Sequence, residues 1–151
     1  MRSFTAVVET SLPPAEAFAA LTDWPAHGRH VPFTRVRVLH EADGVGTTFR
    51  ARTALGPLGF DDDMRVTEWQ PPGPDGRGHA ALAKTGRPLR GSARIEVEPR
   101  GTGSLVRWTE GVQVGPRGLA PVVDAVSVPA GRLLFGRVAR RLLRDRERAR
   151  G

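Results

Sequence analysis

GRLLFGRVARRLLRDRERARG, residues 131–151, is the clearest helix signal in the chain. Leu134, Val138 and Leu142 recur every four residues, and Phe135 widens the same apolar stripe. Arg137, Arg141, Arg144 and Arg148 recur at helical spacing on the other side. Such a helix is stabilised mainly by covering its apolar stripe, so it needs a second apolar surface. Nothing earlier in the chain reads as a long helix, whereas the middle reads as strands. The helix therefore has a sheet to lie against.

Upstream of this helix, Pro129 and Gly131 interrupt the pattern. An interior proline removes a helix hydrogen bond and crowds the preceding turn. A kink or break is predicted near Val128, giving two segments, 118–128 and 131–149, the first a candidate lid.

Further upstream the period is two. Val36 and Val38 alternate with Arg35 and Arg37, and Phe49, Ala51 and Thr53 with Arg50 and Arg52. Asp43-Gly44 is a hairpin signal, GPLG from Gly56 another turn, and PPGPDGRG from Pro71 a turn-rich loop. FDDDMRVTEW, His79–Lys84, Leu89–Glu98 and Leu105–Val114 complete the strands. In Leu89–Glu98, Gly91, Ala93, Ile95 and Val97 face one way. Before the first turn, Ser3–Thr10 is a strand of ambiguous phase. Pro13-Pro14 opens a short helix carrying Phe18 and Leu21, and Asp23 is placed to cap a second, DWPAHGRH. The order is strand, two short helices, six strands in meander, long helix. A meander gives an antiparallel sheet.

Composition bounds the function. The chain has 151 residues, enough for one domain with a real core, and no cysteine, which excludes disulfide and thiolate chemistry. No signal peptide or membrane span is legible, so a cytoplasmic protein is expected. Net charge is +7. Residues 132–150 hold eight Arg against Asp145 and Glu147, or +6, leaving fifteen basic and fourteen acidic residues elsewhere. The Arg face of the last helix is either a contact for nucleic acid or an anionic membrane, or a solvated face near a helix C-terminus. No aromatic residue interleaves these arginines, so nucleic acid is not expected, and the solvated face is preferred. The use of Arg over Lys, with Lys84 the only lysine, is read as genome base composition.

Four stretches then carry a family resemblance: ETSLPPAEAFAALTDWPAHGRHVP near the N-terminus, GVGTT at 44–48, VTEWQPP at 66–72 and GTGSLVRWTEGV at 101–112, where Ser104 replaces a commoner threonine. In this order they resemble the START/Bet v 1-like (SRPBCC) superfamily, in its bacterial polyketide cyclase/dehydrase and lipid-transport branch. The resemblance spans nearly the whole chain. It implies an α+β helix-grip fold: a curved seven-stranded antiparallel sheet with two short helices and a long, proline-kinked C-terminal helix enclosing a mainly apolar cavity. It implies a hydrophobic small-molecule ligand, and no cofactor is expected.

Matching strand phase and helix face to that fold gives the expected lining. It comprises Trp24, His27, Phe49, Ala51, Met64, Val66, Leu82, Ile95, Trp108, Glu110, Val112, Leu134, Phe135 and Val138. The competing reading for each apolar position is plain core. Glu110 and His27 are the acid/base candidates. Glu110 lies in the apolar phase of the last strand, where burial would raise its pKa. The preferred reading turns it outward by a bulge at Gly111, or pairs it with Arg52 or Arg107. His27 and His30 are three apart, but no third metal ligand accompanies them, so no metal is expected. Asp61 and Asp63 point opposite to Asp62 on a strand, so they do not converge on an ion, and a solvated strand beginning is preferred. No dinucleotide, Walker or nucleophile-elbow motif is present. Three functions remain: carrier or sensor of a hydrophobic molecule, polyketide cyclase/dehydratase-type enzyme, or adaptor acting through the Arg face. The oligomeric state is open, a dimer included.

Overall fold

The architecture comes from a computed structural model, which describes residues 2–86, 89–114 and 120–151. Within these, side chains are described except those of Arg2, Leu89, Gln113, Val114 and residues 120–128. The elements run β1 (Arg2–Thr10), α1 (Pro14–Leu21), α2 (Trp24–His27), β2 (Thr34–His40), β3 (Thr48–Leu55), β4 (Leu58–Gln70), β5 (Gly78–Lys84), β6 (Leu89–Arg100), β7 (Gly103–Val114) and α3 (Ala120–Arg150).

The seven strands form one antiparallel sheet in the order β1-β7-β6-β5-β4-β3-β2. The meander from β2 to β7 follows chain order, and β1 closes onto β7. One face of the sheet is apolar. Phe4, Ala6 and Val8 of β1 turn inward, which settles the phase that the sequence left open, while Val7 stays exposed. Ala80 and Leu82 of β5, Ala93, Ile95 and Val97 of β6, and Val106 and Trp108 of β7 share that face. Helix α3 lies on it, burying Val138, Ala139, Leu142 and Leu143.

Close approach sets two positions. At Gly131 an added Cβ would stand 2.5 Å from the Phe4 ring, so the missing side chain lets α3 meet β1. Four residues on, Phe135 stacks on Phe4 with ring centroids 5.6 Å apart. Gly91 has φ +144°, and a Cβ there would collide with the Gly111 carbonyl oxygen of β7.

The C-terminal half of α3 is pinned to the N-terminal elements by polar contacts. The Thr10 hydroxyl donates to Glu147 Oε1 at 2.7 Å, Arg146 Nε to Glu16 Oε2 at 2.6 Å, and His30 Nε2 lies 2.8 Å from Asp145 Oδ2. The fully buried Ser104 donates through Oγ to the Leu12 carbonyl at 2.7 Å, tying β7 to the approach to α1.

Three local expectations are corrected. Helix α3 is one element from Ala120 to Arg150 with Pro129 inside it, so the predicted division into 118–128 and 131–149 is not seen. Proline deletes one backbone donor, while the remaining ladder and the buried stripe beyond it continue. Residues 118 and 119 of the expected lid lie outside the described residues. Asp23 occupies the N-cap position of α2, but its side chain makes no capping hydrogen bond. The helix ends at His27, earlier than the DWPAHGRH stretch suggests. No described helix is long and apolar enough to cross a membrane.

Candidate functional site

The space between sheet and helices is divided. At the α1 end it is filled: Leu12, Leu21, Val66, Ile95, Val106, Val138 and Leu143 are almost wholly buried against one another. At the α2 end it is hollow. A cavity of about 250 Å³ lies between α2, the inner faces of β2 to β7, and Phe135 of α3.

Its walls are mostly aromatic and aliphatic. Trp24 of α2 stacks on Phe49 of β3 at 4.8 Å, nearly parallel. Trp108 of β7 meets His27 at 5.2 Å and Phe135 at 5.3 Å. Ala51, Phe60, Met64, Leu82, Ala93 and Val112 line the sheet side, and Val31 and Val36 the α2–β2 side. Thr34 and Thr53, paired across β2 and β3, hydrogen-bond to each other through their hydroxyls at 2.8 Å.

Of the fourteen lining residues expected from sequence, ten border this cavity: Trp24, His27, Phe49, Ala51, Met64, Leu82, Trp108, Glu110, Val112 and Phe135. The other four do not. Val66, Ile95 and Val138 belong to the filled end, and Leu134 is partly buried against the core. Their side chains have the inward phase. Strand and helix periods specify a face, not a depth along the element.

His27 is held by its own helix junction. Its Nε2–H donates to the Leu21 carbonyl at 2.8 Å. Burial beside Trp24 and Trp108 pulls its pKa down to about 4, despite that hydrogen bond. The imidazole is therefore neutral at pH 7. His30 bonds instead to Asp145 of α3, so the two histidines have separate partners.

Glu110 corrects the preferred sequence reading. The β6–β7 register runs without a break through Ser92↔Gly111 and Ala93↔Glu110, so no bulge turns it outward. It is buried, and its partner is neither Arg52 nor Arg107 but Lys84 of β5, with Nζ 3.1 Å from Oε1. Lys84 Nζ also donates to Asp62 Oδ2 of β4 at 2.6 Å. Asp62 is therefore buried inside the cavity wall, not part of a solvated strand beginning.

The register explains how these three meet. Lys84 pairs with Gly91, and Glu110 with Ala93. On the inner face of β6 the two residues between Lys84 and Glu110 are thus a glycine and an alanine. The lysine chain reaches across the intervening strand because nothing larger stands there.

Burial raises the Glu110 pKa above the ordinary carboxyl value, and the attraction of Lys84 offsets only part of that shift. For Lys84 burial acts downward, but the Glu110 and Asp62 carboxyls outweigh it and hold the ammonium above its usual pKa. The cavity wall thus holds an ammonium between two carboxyls, one of which has its pKa raised by burial. Lys84 and Asp62 were missed as site residues. Both had a legible signal: Lys84 is in the same strand phase as Ala80 and Leu82, and Asp62 in that of Met64.

A larger, open cleft of about 1120 Å³ lies beside the α2–β2 loop, with Arg29, Arg35, Arg37, Arg50, Arg52 and Arg141 on its walls. Two of these arginines already pair with Asp61 and Asp63 on the outer face of β4, and the cleft has no buried polar cluster. The internal cavity is the better candidate site. Arg137, Arg141, Arg144 and Arg148 are exposed on α3.

The family profile described as "Polyketide cyclase / dehydrase and lipid transport" matches residues 1–149. No protein of curated function matches the chain in sequence. Among solved structures, a protein from Thermus thermophilus superposes with a TM-score of 0.78 at 13% identity, over 99% of both chains. A Streptomyces aromatase/cyclase superposes at 0.66 and 13% identity, over 97% of this chain and 94% of its own. A STAR-related lipid transfer protein from Xanthomonas axonopodis superposes at 0.65 and 17% identity, over 94% and 86%. At such identities the likeness is one of fold.

Proposed function

The chain belongs to the polyketide cyclase / dehydrase and lipid transport family, and on that premise we propose that it binds a compact hydrophobic molecule in the cavity beneath α2 and Phe135, as a carrier or sensor. The observation that carries this reading is the cavity itself, a space of about 250 Å³ walled by Trp24, Phe49, Trp108 and Phe135. Apolar enclosure with a few convergent polar groups is the usual form of a small-molecule site. The volume favours a ligand of one or two fused rings, because pockets for drug-sized molecules begin at about 300 Å³. Native mass spectrometry of protein purified from its own host tests the reading. A bound organic molecule of that size is expected. Protein that is ligand-free there and shows no cavity in a crystal structure would sink it.

A second reading is an enzyme of the cyclase/dehydratase type with Glu110 as the acid/base group. Its support is a carboxyl that burial biases toward the protonated form on the wall of the cavity. His27 suits that role less well, because its Nε2–H is committed to the Leu21 carbonyl. Glu110→Gln should then abolish turnover of a polyketide while leaving its binding intact. Unchanged turnover removes this reading.

A further inference from the structure

Lys84 is the only lysine of the chain; every other basic residue is an arginine apart from the histidines. It is also the cation that lies inside, with 5% of its side chain exposed, between Asp62 and Glu110. An ammonium is a compact point charge with three donors, whereas a guanidinium is a broad plane with five. Two donors of Lys84 are engaged by Asp62 Oδ2 and Glu110 Oε1, and Met64 Sδ lies 3.9 Å away. The lysine is therefore saturated from within the protein.

The carboxyls are not saturated. Asp62 Oδ1 and Glu110 Oε2 are buried without a well-formed hydrogen-bond partner, and so is the indole Nε1 of Trp108, although it lies near enough to the Glu110 carboxyl to favour its charged form. All three residues line the cavity. Buried polar atoms are almost always partnered, and leaving one unpaired is costly. The other polar groups around the cavity have no proton free for the two acceptors. The hydroxyls of Thr34 and Thr53 bond each other, and His27 bonds Leu21. What this wall leaves open is two acceptors and one donor, with a single cation set against two carboxyls.

We propose that the Asp62–Lys84–Glu110 wall is a polar subsite that takes the hydrogen-bond-donating group, a hydroxyl or an amine, of a compact apolar ligand. Asp62 Oδ1 and Glu110 Oε2 accept from that group. A hydroxyl gives its one proton to one of these acceptors while its oxygen accepts from Trp108 Nε1, whereas an ammonium satisfies both acceptors. A ligand bearing only acceptors leaves a carboxylate oxygen bare, and an anionic one is repelled. Lys84 is a positioning residue, because it orients both carboxyls and touches the ligand through neither. This assignment rests on the reading that the cavity holds an apolar ligand.

Calorimetric titration at neutral pH with naphthol, naphthylmethylamine and methoxynaphthalene tests it. The three share a ring system and differ in the donor. Naphthol, naphthylmethylamine or both should bind about tenfold to a hundredfold more tightly than methoxynaphthalene, as expected for a hydrogen bond to a charged partner. The ratio of the first two tells hydroxyl from amine. Asp62→Leu, which leaves Lys84 paired with Glu110 and Glu110 Oε2 as the one open acceptor, should cut the preference for naphthylmethylamine over methoxynaphthalene by about tenfold, and an unchanged preference would take Asp62 out of the subsite. Should that variant fail to fold, the wild-type series decides alone. Binding of both naphthol and naphthylmethylamine no tighter than methoxynaphthalene overturns the subsite and leaves the apolar-cavity reading standing. Binding of none of the three overturns both.

Discussion

Asp61, Asp62 and Asp63 are consecutive, yet they belong to two different electrostatic worlds. Asp61 and Asp63 point out of the sheet. Arg50 grips Asp63 through Nε and Nη2 at 2.6 and 2.8 Å, and Arg52 reaches Asp61 at 2.9 Å. These pairs sit directly opposite in the β3–β4 register and are about one-third or more exposed. Asp62 points in, with Lys84 and Glu110 for company and almost no water. Outside, ion pairs offset like-charge crowding between Arg35 and Arg52, and between Arg37 and Arg50, on adjacent strands. They are screened by salt and contribute little. Inside, desolvation dominates. The cluster costs stability to build and much more to break. Similar chemistry therefore serves solubility on one face, and on the other a site.

The largest expected effect breaks the inner cluster. Lys84→Met leaves two carboxyls facing each other without a cation, and should cost about 3–5 kcal/mol in denaturant unfolding, or about 10 °C in Tm. Replacing all three members, as Asp62→Asn, Lys84→Met and Glu110→Gln together, should recover most of that loss, because the uncompensated charge is gone. A single variant that melts like the wild type would put the cluster in water rather than in the wall.

Next comes pH. The folded pKa of His27 is about 4 against an ordinary 6.5, so the unfolded chain binds the extra proton between those values. Stability should fall as pH drops from 6.5 toward 4, by up to about 3 kcal/mol. Glu110 acts with the opposite sign. Its pKa is raised by burial, so its contribution is present at low pH and lost as pH rises above its ordinary 4.5. Unfolding curves measured across this range for His27→Gln should lose the acid limb. An unchanged limb would show that the imidazole is hydrated.

Ala93→Leu sharpens the geometry. Its side chain would enter both the cavity and the path between Lys84 and Glu110. Overpacking should cost about 1–3 kcal/mol, and calorimetry should show loss of naphthol binding. The smallest effect is on the outer face. Arg50→Gln or Asp63→Asn should shift Tm only slightly at low salt and not at all at molar salt. A loss rivaling that of Lys84→Met would erase the contrast between the two faces.

Much of this was legible beforehand. The alternation in β3 and β4 separates Arg50 and Arg52 from Phe49 and Ala51, and Asp62 from its neighbours. The stripe of Val138 and Leu142 names the buried face of α3. The ten residues expected in the lining that do border the cavity follow from that reasoning. Val66, Ile95 and Val138 do not, because they lie at the filled end of the same face. Pro129 reads as a kink or break, and α3 is a single element through it, because one lost hydrogen bond does not outweigh the packing beyond. Lys84 read as an accident of composition, yet it is the cation of the site.

By itself, the sequence determined element order and, outside β1 and Glu110, the face that most side chains take. Both follow from local periodicity, 2 in strands and about 3.6 in helices. Only the tertiary structure decided depth and partnership: that Phe135 caps a hollow while Val138 fills a core, and that Lys84 crosses β6 to reach Glu110. Those outcomes depend on the registers of β5 against β6 and β6 against β7, and on the bare inner face at Gly91 and Ala93. A register joins residues far apart in the chain, and no local period records it.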